Sequence, residues 1–138
     1  MTLEIGTMRQ DEFDAVRSLW ARAGSIRPWN DPAQDVEFAL RSPCSTILVA
    51  RVSGAIVATV MVGHDGHRGG VYYVATDPDV RGRGYGRAIM NAAEAWLPEQ
   101  GVWKLNLMIR SENHAVQGFY EALGYAVQDR IAMQKDIG

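Results

Sequence analysis

Cysteine, lysine and long apolar runs are scarce in this chain, and each scarcity closes a route. The one cysteine, Cys44, has no partner for an internal disulfide. Its setting, Ser42-Pro43-Cys44-Ser45, carries no nucleophile signature, so it reads as a small hydrophobe. Lysine occurs only at Lys104 and Lys135, which leaves no G-x-x-x-x-G-K-[ST] phosphate loop. A net charge of −2 gives no general basic field for nucleic acid or an anionic membrane. No apolar run approaches transmembrane length, and Met1-Thr2-Leu3-Glu4-Ile5 is too polar to open a signal peptide. A cytoplasmic protein is expected. His64, Asp65 and His67 share a glycine-rich turn but have no further ligand nearby in sequence. A metal normally needs roughly three or four converging ligands, so no metal is expected.

What is present suits one globular domain over residues 1–138. The chain is 47% hydrophobic and 22% charged, enough to build a core without disulfides, and it shows no repeat, linker or low-complexity stretch. Leu3 and Ile5 alternate with polar neighbours as a short strand. Asp11 reads as the cap of a helix carrying Phe13, Val16, Trp20 and Ala23 on one face, stopped at Gly24. A loop, Arg27-Pro28-Trp29-Asn30-Asp31-Pro32, leads into a helix from Pro32 to about Arg41. β-Branched runs at 46–52 and 55–62, joined by Ser53-Gly54, predict a hairpin, and 71–76 a third antiparallel strand.

A helix then carries Ile89, Ala92, Ala93, Trp96 and Leu97 inward, and Pro98 predicts a kink or end between Trp96 and Gln100. Alternation predicts a strand over 103–109, with Asn113 capping a helix over 114–123 and Gly124 stopping it. Tyr125, Val127, Ile131 and Met133 predict a last strand. The order is β-α-α-β-β-β-α-β-α-β, an α+β domain.

The most informative segment is Val74-Ala75-Thr76-Asp77-Pro78-Asp79-Val80-Arg81-Gly82-Arg83-Gly84-Tyr85-Gly86-Arg87, where a strand ends in an Arg-Gly turn that opens into a helix. Glycines at 82, 84 and 86 let backbone N–H groups converge on an anion at a helix N-terminus, and Arg81, Arg83 and Arg87 surround it with positive charge. The dinucleotide fingerprint G-x-G-x-x-G fails here, because its last position is Arg87 counted from Gly82 and Ile89 counted from Gly84. The bland alternative is a surface turn that caps a helix.

Arg81-x-x-Gly84-x-Gly86 after a strand resembles the acetyl-CoA signature Q/R-x-x-G-x-G/A of the GNAT N-acetyltransferase superfamily. A second family pattern, N-x-x-A-x-x-(F/L)-Y-x-x-x-G-(F/Y), is matched by Asn113, Phe119, Tyr120, Gly124 and Tyr125. Ala115 stands one residue before the commonest alanine, whose place Val116 takes. The two motifs lie a helix and a strand apart, and the resemblance covers about residues 3–135. The loop 27–32 and the turn 65–69 further resemble a small, single-domain bacterial branch of the superfamily. The implied architecture is a mixed central sheet of six or seven strands flanked by about four helices.

The resemblance implies acetyl transfer from acetyl-CoA to a primary amine of a small molecule, peptide or protein. In that scheme the backbone at Gly82, Arg83, Gly84, Tyr85, Gly86 and Arg87 holds the pyrophosphate beside Arg81. The backbone of Val74 and Thr76 pairs with pantetheine as an added strand does. Tyr120 corresponds to the family's general acid toward the leaving sulfur, and a phenol suits a thiolate of similar basicity. Its other reading is a core aromatic. Asn113 contacts the cofactor or simply caps its helix.

Acceptor recognition falls to Trp29, Asp31 and Tyr72, with Asp35 nearby, since a Trp face beside carboxylates suits a cation. Alternatively, Trp29 packs its loop down and Asp31 starts a turn. The family often places a glutamate on the strand before the glycine turn, but Val71-Tyr72-Tyr73-Val74-Ala75-Thr76 has no carboxylate. The base is therefore open among a water helped by Tyr72 or Tyr73, the groups His64, Asp65 and His67, and Asp31. Without a credible cysteine nucleophile, direct attack in a ternary complex is favoured. A non-catalytic acyl-CoA sensor or partner-binding module on the same fold is the alternative. Homodimerisation is common in the family; nucleic-acid and membrane partners are not expected.

Overall fold

A computed structural model describes residues 2–138. It divides into two compact units, 1–107 and 108–138.

The first unit holds β1 (Leu3–Thr7), α1 (Phe13–Arg22), α2 (Pro32–Arg41), β2 (Ser45–Val52), β3 (Ala55–His64), β4 (Gly69–Thr76), α3 (Tyr85–Glu99) and β5 (Leu105–Asn106). Its five-stranded sheet runs in chain order; β1 to β4 pair antiparallel and β5 joins β4 in parallel. The sheet is thus mixed, as expected, but among the described residues it has five strands rather than six or seven. Consecutive residues Leu48, Val49 and Ala50 are all buried. Neighbours on a strand face opposite ways, so both faces of the sheet are covered. Helix α1 packs on β3 and β4, α2 on β2, and α3 on β2, β3 and β4.

Local chemistry explains most element ends. Asp31 caps α2 by accepting from the Ala33 and Gln34 N–H groups at 3.0 and 3.4 Å, and Pro32 occupies the first turn. Helix α3 ends at Glu99, inside the window set by Pro98. Gly101, at φ +86°, then lets its own N–H reach the Pro98 carbonyl. Asp11 does not cap α1. A 3₁₀ turn, Gln10–Glu12, precedes the helix, and it is Glu12 that folds back onto the Arg9 N–H at 2.9 Å, while Asp11 pairs with the Arg9 side chain.

Glu12 and Arg51 form a buried ion pair across 39 residues, with Arg51 Nε donating to Oε2 at 2.6 Å and Nη2 to Oε1 at 2.7 Å. The guanidinium hydrogen bonds hold the Glu12 carboxyl down at about 2.

Two expected strands are corrected. The strand over 103–109 is reduced to Leu105–Asn106, paired only with Gly69 and Gly70. In the second unit α4 (His114–Ala122) forms as expected, capped by Asn113, but no strand forms over 125–133. Alternation confers a strand only where a neighbouring backbone accepts its hydrogen bonds. Val127, Ile131 and Met133 are instead 71%, 90% and 91% exposed.

Candidate functional site

Strand β4 is the axis of the site. Because β5 pairs only with Gly69 and Gly70, the outer edge of β4 from Val71 to Thr76 has no strand partner among the described residues. That leaves backbone donors and acceptors free to take an extended ligand. The edge is also irregular. Met61 lies opposite Tyr72 and Thr59 opposite Ala75, so two residues of β4, Tyr73 and Val74, share the single partner Val60. Tyr73 takes the left-handed conformation at φ +52°, which a non-glycine residue holds only against strain of roughly 1–3 kcal/mol.

Three contacts hold Tyr73 there. Its ring stacks on Trp20 with centroids 3.9 Å apart and planes 16° from parallel. The Thr59 hydroxyl donates to its carbonyl at 2.9 Å and accepts from Trp20 Nε1 at 2.8 Å. Its own hydroxyl donates to Asp35 Oδ2 at 2.6 Å. Burial first, then this bond to a carboxylate, holds the phenol's pKa well above its usual value, with the nearby Asp31 charge adding to the rise and Asn30 opposing it. The phenol is therefore a committed donor to Asp35.

Beside it lies an open depression of about 190 Å³ lined by Ser25, Asn30, Tyr72, Tyr73 and Val74. Of the acceptor-site residues expected from sequence, only Tyr72 lines it. Asp31 is engaged at the start of α2, and Trp29 is 71% exposed. Tyr73 was raised from sequence only as a helper of a water acting as base, and Ser25 and Asn30 did not stand out as site residues because no local pattern marks them. They meet because the Gly24 stop of α1, the loop to α2 and the bulge of β4 converge.

The turn before β4 lies elsewhere. The Asp65 carboxylate accepts from the His67 and Arg68 N–H groups at 2.9 and 2.8 Å, and those backbone bonds lower its pKa. His64 Nδ1 accepts from the Gly66 N–H at 3.0 Å. These groups precede Gly69, whereas the depression borders Tyr72 to Val74, about 10 Å or more further along the strand.

At the other end of β4, Asp77 closes a short 3₁₀ turn, accepting from the Asp79 N–H at 2.9 Å and from Arg22 Nη1 at 2.8 Å. Gly82 and Gly84 follow at φ +79° and +80°, and α3 starts at Tyr85. No side chain caps α3 and no acidic residue lies in its first turn. Its leading N–H groups, from Tyr85, Gly86 and Arg87, therefore face outward without intrahelical partners. A Cβ on Gly82 or Gly84 would meet nothing within 4 Å, so space for a ligand borders the turn. Arg81, Arg83 and Arg87 are exposed around it. This is the geometry of an anion cradle.

In the second unit, Asn113 Oδ1 accepts from the Val116 N–H at 3.3 Å and so caps α4. Tyr120 is buried, edge-on to Phe119 at 5.0 Å and to Tyr125 at 5.6 Å. Burial pushes its phenol up to about 12, so it stays protonated throughout the physiological range.

Known proteins resemble this chain in sequence and in fold. An acetyltransferase from Yersinia enterocolitica is 47% identical over 133 residues, covering 96% of this chain and 94% of its own. One from Pectobacterium atrosepticum is also 47% identical over 133 residues, with the same 96% and 94% coverage. Among solved structures, the aminoglycoside N-acetyltransferase AAC(6')-Iy bound to the bisubstrate analogue CoA-S-monomethyl-acetylneamine superposes with a TM-score of 0.85 at 17% identity, over 100% of both chains. The ribosomal-protein-S18-alanine N-acetyltransferase of Escherichia coli superposes with a TM-score of 0.73 at 22% identity, over 89% of this chain and 77% of that one. At such identities these structures speak for the fold alone. The sequence model of the acetyltransferase (GNAT) family matches residues 13–125, which take in the open edge of β4, the Arg-Gly turn and the Tyr120 helix, and the chain belongs to that family.

Proposed function

We propose that this protein transfers an acetyl group from acetyl-CoA to a primary amine of a small molecule, peptide or protein, by direct attack in a ternary complex. The observation that carries the proposal is the open edge of β4 running into the uncapped, arginine-ringed start of α3. A substrate with an extended amide arm and a pyrophosphate suits that pair of features. Val74 and Thr76 would pair with the pantetheine arm. The backbone of residues 82–87 would hold the pyrophosphate, with Arg81, Arg83 and Arg87 adding charge.

The neutral amine attacks the thioester carbonyl, and collapse of the tetrahedral adduct breaks the C–S bond. The amine's surplus proton leaves to a base, and Tyr120, by match to the family tyrosine, protonates the departing thiolate. A phenol held near 12 is reliably protonated for that donation at pH 7 to 8. Asn113 caps the helix that carries Tyr120, and on this proposal it serves the cofactor side by holding that helix. We further propose that residues 1–138 act as one catalytic domain in the cytoplasm. No described helix is long and apolar enough to cross a membrane. A homodimer would give the exposed apolar side chains of Val127, Ile131 and Met133 a partner, and sedimentation equilibrium measures that directly.

One observation favours a second reading, an acyl-CoA sensor: β4 carries no carboxylate. Thiol release from acetyl-CoA against amino acids, polyamines, aminoglycosides and peptides, with Tyr120→Phe alongside, separates the two. The proposal expects release with one amine class, reduced about 100-fold or more in kcat by the substitution, with acetyl-CoA affinity retained. Tight binding without release from any acceptor would favour the sensor. Failure to bind acetyl-CoA would overturn both.

A further inference from the structure

We propose that Tyr73 and Asp35 form the acceptor subsite: the Tyr73 phenol oxygen takes an N–H of a cationic primary amine and, with Asp35 behind it, receives the proton that the amine must shed. This rests on the transferase reading and names for it the substrate class and the missing base. The pair comes from elements 38 residues apart, Tyr73 on the bulge of β4 and Asp35 on α2, joined by a bond of 2.6 Å.

Three features of the geometry argue for it. First, the phenol's hydrogen is already given to Asp35 and the Asn30 side chain donates to its oxygen, so that oxygen has only its remaining acceptor capacity for the depression. It can accept from an N–H but has no hydrogen to give a second acceptor. Second, the charges around it have one sign. Asp35 bonds the phenol from α2 and the charge of Asp31, at the start of that helix, acts on it, while Trp20 on α1 and Asn30 in the loop are neutral. Such a lining favours an ammonium over a hydroxyl or a carboxylate. Third, Tyr73 and Val74 both line the depression, and Val74 lies on the edge assigned to pantetheine, so an amine bound there sits beside the thioester's strand. The left-handed backbone at Tyr73 has a use on this account: it aims the ring at Asp35 while the strand continues to Thr76.

The proton balance is simple. The ammonium N–H bond breaks and its proton goes to the phenol oxygen. In the same step the phenol's own hydrogen passes to Asp35 Oδ2. The amine is left neutral with its lone pair free, and Tyr73 is again a phenol. Asp35, now a carboxylic acid, returns the proton to solvent before the adduct's surplus proton takes the same route, while solvent restores the proton Tyr120 gave to sulfur. No tyrosinate forms, which suits a phenol whose ionisation is disfavoured by burial and by the adjacent carboxylate. Tyr73 touches the substrate; Asp35 is a positioning residue that acts through it.

Two arms test the proposal. In the first, the CoA-saturated protein is titrated calorimetrically with 1,4-diaminobutane and with its isostere 1,4-butanediol. The wild type should bind the diamine about tenfold or more tightly than the diol, and Asp35→Asn and Tyr73→Phe should each remove most of that preference. In the second, the best acceptor from the amine panel is used for steady-state kinetics. Each substitution should lower kcat about 10- to 100-fold and raise the amine KM with acetyl-CoA affinity unchanged, and the double variant should be no worse than either single one. A purely structural role would instead lower stability and acetyl-CoA affinity together.

Equal binding of diamine and diol by the wild type, or variants that match it in both arms, would overturn the subsite. Additive kinetic losses would overturn the relay. Selective diamine binding that depends on Asp35 and Tyr73, in a protein that acetylates nothing, would sustain the amine site and sink the transferase reading.

Discussion

Replacing Thr59 by valine perturbs the hydrogen-bonded pair that supports the β4 bulge while barely changing side-chain volume. Thr59 and Trp20 are both fully buried. The hydroxyl makes two bonds, accepting from Trp20 Nε1 at 2.8 Å and donating to the Tyr73 carbonyl at 2.9 Å. Valine supplies neither, so an indole N–H and a carbonyl at a strained residue lose their partners. Each such group costs about 1–3 kcal/mol, offset by about 1 kcal/mol from the methyl that replaces the hydroxyl. The net loss is about 3 kcal/mol, or roughly 10 °C in Tm for a chain of this length.

Thr59→Ser is the internal control. It keeps both bonds and deletes one buried methyl, for about 1 kcal/mol. Urea unfolding at pH 7, followed by far-UV circular dichroism, should therefore rank wild type above serine and serine above valine. Shape alone ranks the two variants the other way, since valine is the isostere. The valine variant should also raise the amine KM, because the same hydroxyl holds the backbone that presents Tyr73. A valine variant as stable as the serine one would refute the reasoning and assign the bulge to ring packing alone.

Glu12→Gln should destabilise the fold by about 3 kcal/mol at pH 7, because the Glu12 carboxyl falls from its usual 4.5 to about 2 on folding. A lowered carboxyl contributes fully above its unfolded value and loses that contribution as pH falls toward the folded one. The gap between wild type and variant, measured by urea unfolding, should therefore shrink to about half or less by pH 3. Gly84→Ala places a Cβ at φ +80°, with a strain of about 1–2 kcal/mol at the start of α3. It should lower Tm by several degrees and weaken acetyl-CoA binding about tenfold in calorimetry, with amine preference intact.

Much of this protein is written locally. Asp31-Pro32 starts α2, Gly124 follows α4 and Ser53-Gly54 turns β2 into β3, because caps and turns depend on a few adjacent residues. The Arg81-to-Gly86 motif and the Asn113-to-Tyr125 pattern were likewise enough to point to the family, since a glycine turn at a helix start and a capped helix are each properties of one continuous stretch. Asp11 misled because the polar residues before α1 are spent on other partners, Asp11 on the Arg9 side chain and Glu12 on the Arg9 N–H and Arg51, and no side chain caps α1. The last strand misled because alternation signals one apolar face without specifying a partner strand.

The sequence by itself determined the order of helices and strands from β1 to α4, the glycine turn before α3 and the family. Tertiary structure alone decided three things that matter for chemistry. It ended the β4 and β5 ladder after two residue pairs and so opened the edge. It inserted Tyr73 and Val74 opposite one residue of β3, and it brought Asp35 to the Tyr73 hydroxyl. Each depends on strand register or on contacts between residues far apart in the chain. A one-residue change of register reverses which face a side chain occupies, and no short window of sequence records that choice.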